Sequence, residues 1–121
     1  MAEARAASER FASEEGCAVE WSKIWNIEPI SFDSRLIEFC DEAVRETTKT
    51  SHRLPSGPLH DAAEVARTGI PTVMMFTQSL AGLSHNKAED TRVDHLKMAV
   101  EAFGKLGRKA LNWLTVKEIE A

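Results

Sequence analysis

The spacing of apolar residues changes character several times along the chain. Residues 3–15, within "MAEARAASERFASEEG", are rich in alanine and charge and favour a helix, with Gly16 placed to end it. In "CAVEWSKIWNIEP" the period falls to two. Val19, Trp21, Trp25 and Ile27 share one face, and Glu20, Ser22, Asn26 and Glu28 share the other, with Lys23 and Ile24 as interruptions. This predicts a strand with one buried face that stops at Pro29, its tryptophans packing in a core or interface. A helical period returns in "SFDSRLIEFCDEAVRETTK", where Leu36, Ile37, Cys40, Ala43, Val44 and Thr47 line up and Asp33 or Ser34 can cap the start.

A breaker cluster follows, Pro55-Ser56-Gly57-Pro58. Pro58 suits the first position of a helix running to Arg67 or Thr68 and closed by Gly69. "IPTVMMFT" is then a continuous apolar, β-rich run. It predicts a strand over 71–77 buried on both faces, as in a parallel sheet covered by helices, with Met74 and Met75 in the core. After a loop over 78–90, a final helix begins near Thr91. Its expected stripe is Val93, Leu96, Val100, Phe103, Ala110, Leu111 and Leu114, and Gly104 and Gly107 would permit close packing. The order helix, strand, helix, helix, strand, helix points to an α/β layered domain. The first helix and strand suit a different, open antiparallel sheet.

Composition narrows this reading without redirecting it. A chain of 121 residues, 43% hydrophobic and 28% charged, fits one soluble domain or a piece of a larger one. The net charge is −4 with Lys and Arg dispersed, which argues against a nucleic-acid partner. No apolar run is long enough to span a membrane, and the N-terminal stretch has no apolar signal core. Cys17 and Cys40 sit in no CxxC pattern, so both are expected to be small buried hydrophobes in a reduced cytoplasm.

Candidate chemistry centres on two histidines. His85 lies in "AGLSHNKAEDT", on the loop that leaves the buried strand at its carboxyl end, where open α/β sheets bind ligands. Neutral imidazole is a common zinc ligand. From the residues alone His85 is either a metal ligand or catalytic group, or a solvated loop histidine. His60 sits at a helix start beside Asp61, with Ser56 and Gly57 just before it. That is either a cradle of free N–H groups for a carboxylate or phosphate, or a plain helix start with Ser56 as cap. His52, in a polar connector, and His95, on the polar side of the last helix, read as surface residues. No Ser/His/Asp set, P-loop or Cys-rich zinc spacing is present.

"RLPSGPLHDAAEVA", "IPTVMMF" and "GLSHNKAEDT", in that order and at close spacing, resemble the C-terminal motifs of a family of metal-dependent amidohydrolases within a zinc metallopeptidase-like superfamily. The family includes N-carbamoyl-L-amino-acid hydrolase, allantoate amidohydrolase and β-ureidopropionase. Its pattern is Ser-Gly-x-x-His-Asp-Ala, then Pro-Thr-x-Met-x-Phe, then Gly-(Ile/Leu)-Ser-His with a Glu four residues later. "FASEEGCAVEWSKIWNIEPISFD" also resembles the stretch before these motifs. The resemblance implies residues 31–121 as the C-terminal part of a layered α/β/α catalytic domain with two metal ions, zinc, manganese or cobalt, per full-length subunit. It implies residues 1–30 as the last helix and strand of an inserted lid and dimerisation domain, and a homodimer. It makes His85 a metal ligand, Ser56, Gly57 and His60 substrate-binding, and Asp61, Asn86 and Glu89 supports of the site.

Pro58-Leu59 departs from the Ala-Gly of many members, and proline removes one N–H from the cradle. The family's His-x-Asp motif, catalytic Glu-Glu pair, middle histidine ligand and substrate arginine all precede these motifs. A catalytic metal site typically needs about three protein ligands, and this chain offers one. The expectation is therefore the C-terminal fragment of an enzyme that cleaves linear C–N bonds of N-carbamoyl-L-amino acids or related ureido acids by metal-activated water. The 121-residue chain alone would be inactive. The alternatives are a non-catalytic remnant acting through association and, within the class, an allantoate amidohydrolase.

Overall fold

The computed structural model describes residues 1–119, with side chains as far as 115. It contains α1 (Ala2–Glu14), α2 (Ser34–Thr48), α3 (Asp61–Arg67) and α4 (Val93–Ile119), with a single 3₁₀ turn at Leu80–Gly82. Among the described residues α2 and α4 pack on each other, and no other pair of helices does so.

The start of α2 is fixed chemically. The Leu36 N–H donates to the Asp33 carboxylate at 2.9 Å, satisfying one of the helix's free N–H groups. At the other end Lys49 adopts a left-handed conformation (φ 71°) and its N–H closes on the Arg45 carbonyl at 2.9 Å. The face between them buries Leu36, Phe39, Cys40 and Ala43 against Leu106 of α4, with Val44, Val73, Met75, Ala110 and Trp113 half-covering the rim. Phe39 and Trp113 meet edge to face with ring centroids 6.2 Å apart. Polar contacts seal one side of the seam. Lys109 bridges Glu42 at 2.9 Å and Glu46 at 3.0 Å, and Lys105 donates to the Thr47 hydroxyl at 3.0 Å.

The face that α4 buries differs from the expected one. Val93, Leu96, Val100, Phe103, Leu111 and Leu114 are all exposed, by 50–68%. The buried positions are Ala102 and Leu106, flanked by half-buried Ala99, Lys105, Ala110 and Trp113. Close approach fits the choice: Ala43 of α2 is 0% exposed in the cluster with Leu106, and its small side chain lets α4 come near there, while Ala102, outside that cluster, is 2% exposed. The glycines do not do this. A Cβ on Gly104 would meet only the end of Arg108 at 3.8 Å, and one on Gly107 would meet nothing within 4 Å.

The two expected strands also differ. Among the described residues no β-strand forms, so the layered α/β arrangement is not seen in this chain. A strand needs a partner to receive its hydrogen bonds. The 71–77 run exchanges one such bond, from the Asp33 N–H to the Thr72 carbonyl at 3.0 Å. Met74 and Met75 are accordingly half-buried, with Val73 and Met75 turned to the α2–α4 core. In the 19–27 segment the odd face is not buried: Trp25 is 70% exposed, and Trp21 is pinned to α1 by its indole N–H, which donates to the Ser8 hydroxyl at 2.6 Å. Cys17 is exposed and Cys40 buried, so only the second is the small core residue expected of both. Burial, then the adjacent Asp41 charge, raises the Cys40 thiol pKa.

Candidate functional site

The 80–90 loop is a closed excursion. The Leu80 N–H donates to the Asp90 carbonyl at 2.8 Å, tying its two ends, while Ala81 and Gly82 turn the chain with φ of 54° and 66°. His85 stands within this loop, exposed, and itself in the left-handed region at φ 54°. That conformation is uncommon for a residue with a Cβ. It is held from behind. The His85 N–H donates to the Glu89 carboxylate at 2.9 Å, the Glu89 N–H donates to the Asn86 carbonyl at 2.9 Å, and the Ala88 N–H donates to the Asn86 side-chain oxygen at 2.9 Å. Asn86 and Glu89 thus fix the backbone that presents the imidazole.

His60 is the N-cap of α3, in an extended conformation, and its side chain makes no capping bond. This corrects the expected helix start. Pro58 lies outside the helix, and Ser56 does not cap it, because its hydroxyl donates to the Pro58 carbonyl at 3.0 Å. His60 is instead extended (φ −131°, ψ 150°), and the helix begins after it, at Asp61. Ser56 and Gly57 therefore precede the helix N-terminus instead of forming it, and the free N–H cradle expected there is not built from them. Asp61 opens α3 on the exposed side.

The rings of His60 and His85 come together, with centroids 6.4 Å apart. Phe76 stands against His60, edge to face, at 6.0 Å. Phe76 escaped the reading of the sequence as a site residue. The signal for it was its place at the end of the apolar run, directly before the functional loop. Ser56, Gly57, His60 and Phe76 also line an open groove of about 1490 Å³ walled on its far side by residues 21–30. That is more than a single small ligand fills. His85 is not among its lining residues, so His60 sits where the groove meets the His85 loop. His52 is exposed in the connector as expected, whereas His95 is half-buried near the start of α4.

Asp41 carries the strongest local electrostatics beside the groove. Its side chain is 15% exposed and receives the Ser51 hydroxyl, Arg45 at 2.9 Å and Arg53 at 3.5 Å. The Ser51 hydrogen bond, followed by the two guanidinium charges, lowers the Asp41 pKa. These contacts clamp the connector after α2 to the helix, and so fix one wall of the groove.

Chemically, the corner offers two imidazoles that can donate to a cation or carry a proton. Among the described residues no three His, Cys, Asp or Glu side chains are grouped to hold a metal ion. These residues therefore do not fit a complete metal centre by themselves, and no step is derived through one.

A relative described as N-carbamoyl-L-amino-acid amidohydrolase, from Rhizobium meliloti, is 36% identical over 75 residues, 62% of this chain. The chain spans 17% of that relative's length. No solved structure matches significantly. The sequence pattern of peptidase family M20/M25/M40 matches residues 5–109, which takes in all four histidines, the whole of α2 and the first part of α4, and the chain belongs to that family.

Proposed function

We propose that this chain supplies the C-terminal part of an amidohydrolase that cleaves the linear C–N bond of an N-carbamoyl-L-amino acid or a related ureido acid. The observation that carries the reading is the juxtaposition of His60 and His85, from two separate motifs, at 6.4 Å beside Phe76. The 36% identity to a relative described as an N-carbamoyl-L-amino-acid amidohydrolase supports the substrate class. The reaction adds the oxygen of water to the ureido carbonyl carbon and breaks one of its two bonds to nitrogen, with a proton passing to the departing nitrogen. The carbamate left behind then loses carbon dioxide as the second C–N bond breaks, so that free amino acid, ammonia and carbon dioxide result.

Members of the family are generally metal-dependent. On this reading His85 contributes one imidazole to a divalent metal site, of zinc, manganese or cobalt, whose other donors and general base come from outside these residues. His60, with Ser56 and Gly57 along the groove, positions the substrate, and Asp61, Asn86 and Glu89 hold those two segments in place. Residues 31–121 belong to a layered α/β/α catalytic domain, in which the 71–77 run gains partner strands. Residues 1–30 belong to an inserted lid and dimerisation domain. In support, no residue before Leu36 is buried, so the first segment shares no core with the rest.

The test is His85→Ala in the full-length protein that carries this chain. The expected result is loss of bound metal and of N-carbamoyl-L-amino-acid hydrolysis with the fold intact by circular dichroism. Unchanged metal content and turnover refute the role of His85. The 121-residue chain by itself is expected to be inactive, and hydrolysis by that purified chain with tightly bound zinc refutes the dependence on outside residues. The exposed stripe of α4 favours a second reading for the isolated chain, association without catalysis.

A further inference from the structure

Among the described residues the half-buried imidazole of His60 has no hydrogen-bond partner, and it makes no capping bond to α3. Its ring contacts are aromatic: Phe76 edge to face at 6.0 Å, and His85 tilted by 44° at 6.4 Å. His85 belongs to an exposed loop, whereas Phe76 follows an anchored residue. Met75 packs on the α2–α4 core, and Met74 and Phe76, on either side of it, line the groove. The grip of the core on Met75 limits how far the backbone of Phe76 can move. Phe76 itself is 53% exposed and lies outside the core cluster, so core packing does not account for an aromatic side chain there.

We propose that Phe76 is the positioning residue for His60, holding the imidazole against the His85 ring by edge-to-face packing in place of a hydrogen bond. An aromatic pair of this geometry orients its members through shape and the ring quadrupole. A carboxylate or carbonyl in the same place would take up one of the two ring nitrogens; Phe76 takes up neither. The neutral imidazole then keeps one donor and one acceptor for a ligand. That is the complement of a ureido group, which carries N–H donors beside a carbonyl acceptor. This consequence for substrate rests on the amidohydrolase reading above, whereas the placement of the ring does not. The pair is a modest interaction, able to shift an equilibrium roughly two- to tenfold. Leucine at this position would keep an apolar wall on the groove and lose the aromatic edge, while tyrosine would keep both.

The experiment has two arms. In the 121-residue chain, NMR at about pH 8, where imidazoles are neutral, reads cross-relaxation between the ring protons of His60 and His85. The signal is expected in the wild type and in Phe76→Tyr, and is expected to be lost in Phe76→Leu with the helical circular dichroism unchanged. Equal cross-relaxation in the wild type and Phe76→Leu overturns the proposal, because any apolar neighbour then suffices. A wild-type chain in which the two rings show none overturns it as well. In the full-length protein, Phe76→Leu should raise KM for an N-carbamoyl-L-amino acid roughly two- to tenfold with kcat held within about twofold, and Phe76→Tyr should keep KM near the wild-type value. A loss of kcat at unchanged KM, or equal losses in both variants, overturns the positioning role. A full-length wild type that does not hydrolyse these substrates removes the amidohydrolase reading instead, and the first arm still decides whether Phe76 places His60.

Discussion

Leu106→Ala and Leu111→Ala together test which face of α4 holds the protein together. Leu106 is 6% exposed and closes over Leu36, Phe39, Cys40 and Ala43. Truncating it removes the transfer energy of the lost side-chain carbons and leaves a gap that Ala43 is too small to fill. Leucine-to-alanine changes in cores cost about 2–5 kcal/mol, more where the site cannot collapse. Here the rim residues Val44, Ala110 and Trp113 are half-buried and able to shift, so about 3 kcal/mol is expected. A small domain has roughly 5–15 kcal/mol in total, so the urea midpoint should fall by about 1–2 M at an unchanged slope. Leu111 is 64% exposed, and its truncation should change stability by no more than about 0.5 kcal/mol. The assay is urea unfolding followed by helical circular dichroism, with both variants and wild type held at the same concentration of about 1 µM. A cost below about 1 kcal/mol for Leu106→Ala, with a larger one for Leu111→Ala, would show that the sequence stripe and not the alanine-lined face forms the core.

Two further outcomes are expected. Hydrogen bonding from Ser51 with charge from Arg45 and Arg53 lowers the Asp41 pKa, Lys109 lowers that of Glu46, and Arg92 brings Asp94 down to about 2. Folded values below unfolded ones mean stability that is present above the unfolded carboxylate range, about 4, and lost as pH falls through the folded values. Thermal midpoints should therefore drop between about pH 4 and 2, less steeply in Asp41→Asn, and an equal slope in wild type and variant would remove Asp41 from the account. His85→Gly relieves a left-handed backbone at φ 54° while deleting the imidazole. The chain should lose no stability, and gain up to about 1 kcal/mol. The same change in the full-length protein should lose metal, and a clear drop in the thermal midpoint of the metal-free chain would contradict the strain argument.

The sequence made α2 legible because its signals agree. A capping aspartate, a helical apolar period and a left-handed stop at Lys49 all lie within one segment. α4 was legible as a helix but not in its orientation. It has two apolar faces, and hydropathy favours the one with larger aliphatic side chains. Burial followed the other criterion, how near two helix backbones can come, to which Ala43 in the α2–α4 cluster contributes. Strands are harder still, since a strand is a relation between two segments. The 71–77 run has the composition of a buried strand, yet within the described residues it finds one backbone bond from Asp33 and no ladder. Similarly, the 19–27 alternation describes what the segment could bury and says nothing of what would cover it.

The candidate corner shows the same division between chemistry and geometry. The residue type at 85 suggested a ligand and the helix start at 60 a cradle for an anion, and the order of the three motifs joined them to one family, but no periodicity could reveal that two rings 25 positions apart sit 6.4 Å from each other. Nor could it reveal that His85 adopts a backbone conformation favoured by glycine, which the Glu89 carboxylate and the Asn86 turn stabilise. A loop that held a histidine there only by accident would gain from glycine at that position. The left-handed backbone at His85 is thus held by its own loop, through the Glu89 carboxylate and the Asn86 turn, and the exposed face of α4 is the surface left beside the one that α2 covers.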